Sequence, residues 1–272
     1  MTLSYTDILK EPEKHIKLIE KVWEGGLTWF FGKKVRIVIT GMEGVGKSVL
    51  FHSISGKTEK LGYKFPHRSE AKESGVISVS EPKRRLVIDV IPGQDSAPRL
   101  ESMTELFVNS KTPVDGVLHV VGNGLAIFRE ETTKEQLLEE EALDTIEEYR
   151  FYQLDRELKD LQYTCEKIRQ AHQKHHKPTW LLLLMDKFDL YKDKEQEAVE
   201  QYNSKDSEFN QTLSTLQSQI GSDFFRWESL IVSGCLETFE WNGETITPSI
   251  SESDRKVLLG YLVERLKDYC SN

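Results

Sequence analysis

The spacing of apolar positions changes character near residue 35. Ahead of it, Lys14 to Glu24 places Ile16, Ile19, Val22 and Trp23 on one helical face with Lys and Glu between them, which predicts an amphipathic helix. Gly25-Gly26 should end that helix, and residues 27–31 then form an apolar cluster with three aromatics. Docking of this extension on the chain's own core is the simpler expectation; a partner or a membrane surface is the alternative. From Val35 onward, short apolar runs alternate with longer helical stretches. The runs cover 35–40, 75–79, 86–91, 116–121, 180–185 and 230–233. Several are apolar at almost every position, as strands covered on both faces are, and the later gaps each leave room for a crossover helix. The expected fold class is therefore α/β: a mostly parallel, doubly wound sheet with flanking helices.

Residues 130–177 contain no Pro or Gly and are rich in Glu, Leu, Lys and Gln, so much of this stretch should be helical. Its acidic start at 139–141 and basic end at 174–177 follow the sign of a helix dipole, and Pro178 stops it. Further helices are expected over 194–202, 208–220 and 254–269. No repeat or low-complexity linker divides the chain. The expected organisation is an extension over 1–34 and one domain over 35–272, with a helical insertion around 123–177.

Composition removes several function classes. Lys and Arg number 36 against 45 Asp and Glu, a formal charge of −9, which argues against a surface built to bind nucleic acid directly. No apolar run approaches the ~18 residues of a spanning helix, so no transmembrane segment is expected. The first twenty residues carry charges throughout and lack a signal-peptide core. Three widely separated cysteines form neither a disulfide framework nor a zinc spacing, and a reducing cytoplasm fits them best.

Chemistry enters with Gly41-Met42-Glu43-Gly44-Val45-Gly46-Lys47-Ser48, a complete G-x-x-x-x-G-K-[ST] phosphate loop. It follows an expected strand and opens an expected helix, so the backbone amides from Glu43 to Val49 and a helix N-terminus converge on one point. A triphosphate is the natural occupant. Lys47 would supply charge to its β- and γ-phosphates, and the Ser48 hydroxyl is placed to bind Mg2+.

After the run at 180–185 comes Asp186-Lys187-Phe188-Asp189. It resembles the [N/T]-K-x-D motif of GTPases in the Ras-like and translation-factor-related (TRAFAC) superfamily, of which the chain looks like a divergent member. A carboxylate at Asp189 can accept from both guanine N1–H and N2–H2, a donor pair that adenine lacks. Lys187 would lay its aliphatic stem along the base. Asp186 departs from the pattern, because an ionised carboxylate cannot donate as Asn does. Asp89-Val90-Ile91-Pro92-Gly93-Gln94 resembles the D-x-x-G-Q signature, with Asp89 one residue too early. The resemblance implies Mg2+ contact by Asp89, a Gly93 amide on the γ-phosphate and a water-orienting Gln94. Where the family uses a switch Thr, Ser74 is the best substitute by position. Ser233-Gly234-Cys235 is similar to the turn whose backbone touches guanine.

The resemblance implies a GTP/GDP-binding, Mg2+-dependent hydrolase with Gln94 and Lys47 in catalytic roles, switching an effector or partner protein. Oligomer formation through the aromatic extension or the long helix is a further expectation. A non-hydrolysing nucleotide-binding module and a P-loop ATPase are the alternatives. Arg99 is one candidate for an arginine finger in cis. His172, His175 and His176 share helical spacing, but the basic end of a helix explains them better than a metal.

Overall fold

Val35, Ile37, Val38 and Ile39 are buried on both sides of the first strand, as expected of a central strand covered by helices. The computed structural model describes residues 4–25, 35–64, 73–78, 85–93, 97–128, 131–141 and 143–271. The aromatic cluster at 27–31 and Gln94 lie outside the described residues.

In chain order, α1 (Tyr5–Ile8) and α2 (Pro12–Gly25) precede β1 (Val35–Thr40), α3 (Lys47–Ile54), β2 (Glu73–Ser78) and β3 (Arg85–Val90). Next come α4 (Ala97–Met103), continued by a π-helical turn over Thr104–Asn109, then β4 (Gly116–Val121), α5 (Glu131–Glu141) and α6 (Ile146–His175). The remainder is β5 (Thr179–Met185), α7 (Phe188–Tyr191), α8 (Glu195–Asn203), α9 (Glu208–Ile220), β6 (Phe225–Ile231), β7 (Phe239–Trp241), β8 (Glu244–Ile246) and α10 (Glu252–Ser271).

Among the described residues the main sheet has the order β2-β3-β1-β4-β5-β6. Strands β3 to β6 run parallel with β1, whereas β2 pairs antiparallel with β3. Chain order reverses at β1, and the loops at its carboxyl end open into the crevice where α/β sheets bind ligands.

The described part of the extension packs in cis. Ile19 and Val22 of α2 are buried, and the backbone of His15 lies so close to Gly260 that a Cβ there would collide with it. The Trp23 indole donates to the Ser53 carbonyl at 2.8 Å, joining α2 to α3. On the other flank α6 packs against α9 and the π-helical turn.

The segment expected as one long helix is two. Helix α6 restarts at a capping box in which Thr145 Oγ1 accepts from the Glu148 amide at 3.2 Å and Glu148 Oε2 accepts from the Thr145 amide at 3.0 Å. It ends at His176, whose φ of 50° is left-handed. The sixth strand begins five residues earlier than its apolar run, because Phe225 to Ser229, buried only at its two ends, pairs in register with β5. The β7-β8 hairpin was not expected. It rests on Trp241, which is buried against the Tyr149 ring at 4.0 Å between centroids.

Candidate functional site

The motif at 41–48 lies between β1 and α3, and α3 begins at Lys47. Gly46, at φ 105°, occupies the left-handed region, and a Cβ there would approach Asp186 Oδ2 to 2.7 Å. Glycine is required on both counts. Val45 belongs to the core and Val49 is buried, so any ligand contact from them runs through their backbone amides. Ser48 occupies the first turn of α3, and Lys47 is buried with its ammonium donating to the Met42 carbonyl at 2.7 Å.

Three loops close around this one. The Ile127 amide donates to the Gly44 carbonyl at 2.9 Å, which brings in the loop after β4. Lys187 donates to the same carbonyl at 2.9 Å from the loop after β5. Gly93 packs so tightly on Lys47 and the Glu43 backbone that a side chain would collide with both. The phosphate-loop, 89–93, 186–189 and 233–235 segments, scattered in sequence, therefore meet at the carboxyl ends of β1, β3, β5 and β6.

The carboxylate turn after β5 is braced from below. Asp186 is buried, and its Oδ1 accepts from the Lys187 amide at 2.8 Å and the Gly234 amide at 2.7 Å. What the fold asks of this position is an acceptor for two backbone N–H groups, which a carboxylate provides as well as an Asn amide oxygen. Burial pushes its pKa up to about 7, opposed by those two hydrogen bonds. Lys187, left-handed at φ 62°, is desolvated and its pKa falls to about 8. Asp189 Oδ1 accepts from Ser233 Oγ at 2.7 Å, whereas Oδ2 is buried without a hydrogen-bond partner. Burial raises the Asp189 pKa to about 6. A buried, unpaired acceptor is costly, and a pair of ligand N–H donors would relieve it.

At the carboxyl end of β3 the placements are more particular. Asp89 Oδ2 lies 3.3 Å from both Nε and a terminal nitrogen of Arg36, a pairing that sequence reading missed because 53 positions separate the two residues. Ser74 is inside β2 rather than ahead of it, directly across the ladder from Asp89. Arg99 is buried, with its guanidinium engaged by the Gly93 carbonyl at 2.8 Å and by Asp160, so it does not present a finger to solvent. His172 and His175 are packed at the end of α6, where His172 meets the Phe224 ring edge-on and His175 faces the Val108 carbonyl.

Glu157 of α6 also escaped notice, one Glu among many. It is fully buried, with Oε1 accepting from the Gly122 and Gly124 amides at 2.8 and 3.1 Å and Oε2 from the Tyr202 hydroxyl at 2.8 Å. It thereby fixes the loop after β4 that supports Gly44 and Lys187.

A phosphate-cradling loop at the switch point of a parallel sheet, with a carboxylate turn two strands away, defines the class as a P-loop nucleotide-binding protein. The family of 50S ribosome-binding GTPases matches residues 36–183, and the chain belongs to it. No curated protein matches the chain. Among solved structures it is similar to Toc33 from Arabidopsis thaliana in complex with Mg2+ and GMPPNP, at 14% identity over 99% of this chain and 97% of that one, TM-score 0.49. It is also similar to the signal recognition particle receptor SRb-GTP/SRX complex from Chaetomium thermophilum, at 11% identity over 74% and 94%, TM-score 0.45. The ADP-ribosylation-factor-like protein or small COPII coat GTPase SAR1 from Encephalitozoon cuniculi, in complex with GDP, is 15% identical over 96% and 95%, TM-score 0.39.

Proposed function

We propose that this protein binds GTP with Mg2+, hydrolyses it slowly to GDP and phosphate, and uses the change to alter its surface for a partner protein. The observation that carries the guanine reading is the buried, unpaired Asp189 Oδ2 beside an Oδ1 held by Ser233. Both oxygens of one carboxylate are what guanine N1–H and N2–H2 call for. In this reading the 41–49 amides and Lys47 hold the phosphates, Gly93 offers its amide to the γ-phosphate, and Gln94 orients the attacking water. Ser233, Gly234 and Cys235 line the base with Asp186, Lys187 and Asp189.

Mg2+ suits a donor set of hydroxyl, phosphate and water, and Ser48 at the start of α3 meets that requirement. The ion would neutralise charge on the β- and γ-phosphate oxygens. Asp89 and Ser74, neighbours across the β2–β3 ladder, are its proposed further contacts. Asp89 would have to share its carboxylate with Arg36. The three cysteines are free thiols, in keeping with a reducing cytoplasm as the proposed compartment. Among the described residues no helix is long and apolar enough to cross a membrane.

Calorimetric titration with GTP, GDP and ATP in Mg2+ tests the base assignment, and ATP binding as tight as GTP would overturn it. A second reading, a binding module that does not hydrolyse, is favoured by the Arg36–Asp89 pair, which occupies the carboxylate proposed for Mg2+. Single-turnover phosphate release separates the two. Hydrolysis predicts release that Lys47→Ala and Gln94→Ala each reduce at least tenfold.

A further inference from the structure

Beneath the phosphate loop lies a chain of buried polar side chains that the nucleotide contacts do not use. Arg99, six residues past Gly93, donates from one terminal nitrogen to the Gly93 carbonyl at 2.8 Å and pairs through the other with Asp160 of α6. The second Asp160 oxygen faces His119 Nε2 at 3.9 Å, and His119 Nδ1 is 2.9 Å from Thr40 Oγ1, the last residue of β1. All four side chains are at most 8% exposed. Burial lowers the His119 pKa to about 4, so its ring is neutral near pH 7. The Thr40 hydroxyl and His119 Nδ1 share a hydrogen bond, while His119 Nε2 and the second Asp160 oxygen face each other, each buried without a hydrogen-bond partner.

A buried ion pair adds little to stability over apolar packing of the same volume, because desolvating both charges offsets their attraction. This pair nevertheless spans two elements with different duties. One end is a backbone carbonyl in the loop that packs on Lys47 and Glu43, and the other is the middle of a 30-residue helix. The Gly93 carbonyl and the Gly93 amide proposed for the γ-phosphate are joined through one Cα, so anchoring the carbonyl leaves only that residue's φ and ψ between the anchor and the amide.

We propose that Arg99 and Asp160 are a positioning pair which sets the Gly93 loop for a γ-phosphate and ties that loop to α6, so that triphosphate and diphosphate are told apart inside the protein. The proposal rests on the GTP reading above. Displacement of Gly93 on exchange of GTP for GDP pulls on Arg99, and through Asp160 on α6, the element whose outer face then differs between the two states.

The test compares the affinities of a non-hydrolysable GTP analogue and GDP in the full-length protein, for wild type, Arg99→Lys, Asp160→Asn and the double variant. Lys cannot reach the carbonyl and the carboxylate together, and Asn keeps the shape of Asp without its charge. Each single substitution should weaken the analogue about tenfold and leave GDP within twofold, and the double variant should be no worse than the weaker single. In wild type, peptide-level hydrogen exchange around Asp160 should slow with the analogue relative to GDP, and this difference should vanish in both single variants. Equal shifts for the two nucleotides, no shift for either, or independent multiplication in the double variant would overturn the pair's role and reduce it to structure. Failure of wild type to bind either nucleotide would overturn the GTP reading itself, a result visible before any substitution is made. If Arg99→Lys does not fold, the isosteric Asp160→Asn decides on both measurements.

Discussion

Lys187 donates its ammonium proton to the Gly44 carbonyl at 2.9 Å. This bond joins the loop proposed to read the base to the loop proposed to hold the phosphates, although 143 positions separate the two residues. The ammonium is paid for in desolvation, and it serves the Leu125 carbonyl as well.

Lys187→Met keeps the stem and removes both hydrogen bonds. Two carbonyls then lose their donor, at about 1–3 kcal/mol each for a buried group. GDP and GTP affinities should fall together by at least tenfold, measured by calorimetry, because both loops relax at once. A loss confined to GTP would contradict the link.

Asp189 must be ionised to accept two donors from a base. Its pKa stands near 6, raised by burial, so acidification through that value protonates the acceptor and guanine binding should weaken progressively below it. GDP affinity measured at pH 5.5 should be lower than at pH 7.5 in wild type. Asp189→Ala, weak at both, should lose most of that difference, which separates this carboxylate from titration of the nucleotide phosphates.

Gly93→Ala places a methyl group on the Lys47 ammonium and the Glu43 backbone. Only a shift of one loop away from the other accommodates it. Phosphate release should fall at least tenfold in single-turnover assays, while the melting temperature changes little, because the collision is local to the site.

Glu157 binds a proton more readily in the folded chain than in the unfolded one, with burial raising its pKa from the ordinary 4.5 to about 7. The folded form therefore holds the extra proton between those values, and this residue's contribution to stability falls as pH rises from about 4.5 to about 7. Glu157→Gln retains an oxygen for the Gly122 and Gly124 amides and offers the Tyr202 hydroxyl an N–H to accept in place of the oxygen it donated to, and with no titrating group left it should flatten the melting temperature between pH 5 and 7.5. Glu157→Ala strands three buried donors and should destabilise at every pH by several kcal/mol, about 1–3 for each.

Much of the framework is legible in local pattern. The apolar run at 35–40 coincides with β1, the 208–220 helix with α9, and the glycine spacing at 41–46 with a loop in which Gly41, Gly44 and Gly46 all have positive φ and no room for a Cβ. The phosphate loop and the carboxylate turn were visible because each is a short, contiguous motif whose chemistry depends on its own backbone. The break between α5 and α6 was less visible, since Thr145 and Glu148 form a capping box inside a run that composition alone reads as uniformly helical. The β7-β8 hairpin was hidden for a related reason: three-residue strands carry too little alternation to register, and Trp241 finds its place only against Tyr149.

The sequence by itself determined an α/β chain with a phosphate loop ahead of a helix and a carboxylate turn behind a buried strand. Tertiary structure alone decided which partners those groups have. Asp186 serves the Gly234 amide 48 positions away, Asp89 faces Arg36, Glu157 carries the loop under Lys187, and Arg99 spans Gly93 and Asp160. Local propensity acts over a few residues and fixes helices, strands and turns. The partner of a buried charge is set by which strands lie side by side and which helix covers them, and desolvation makes that choice count.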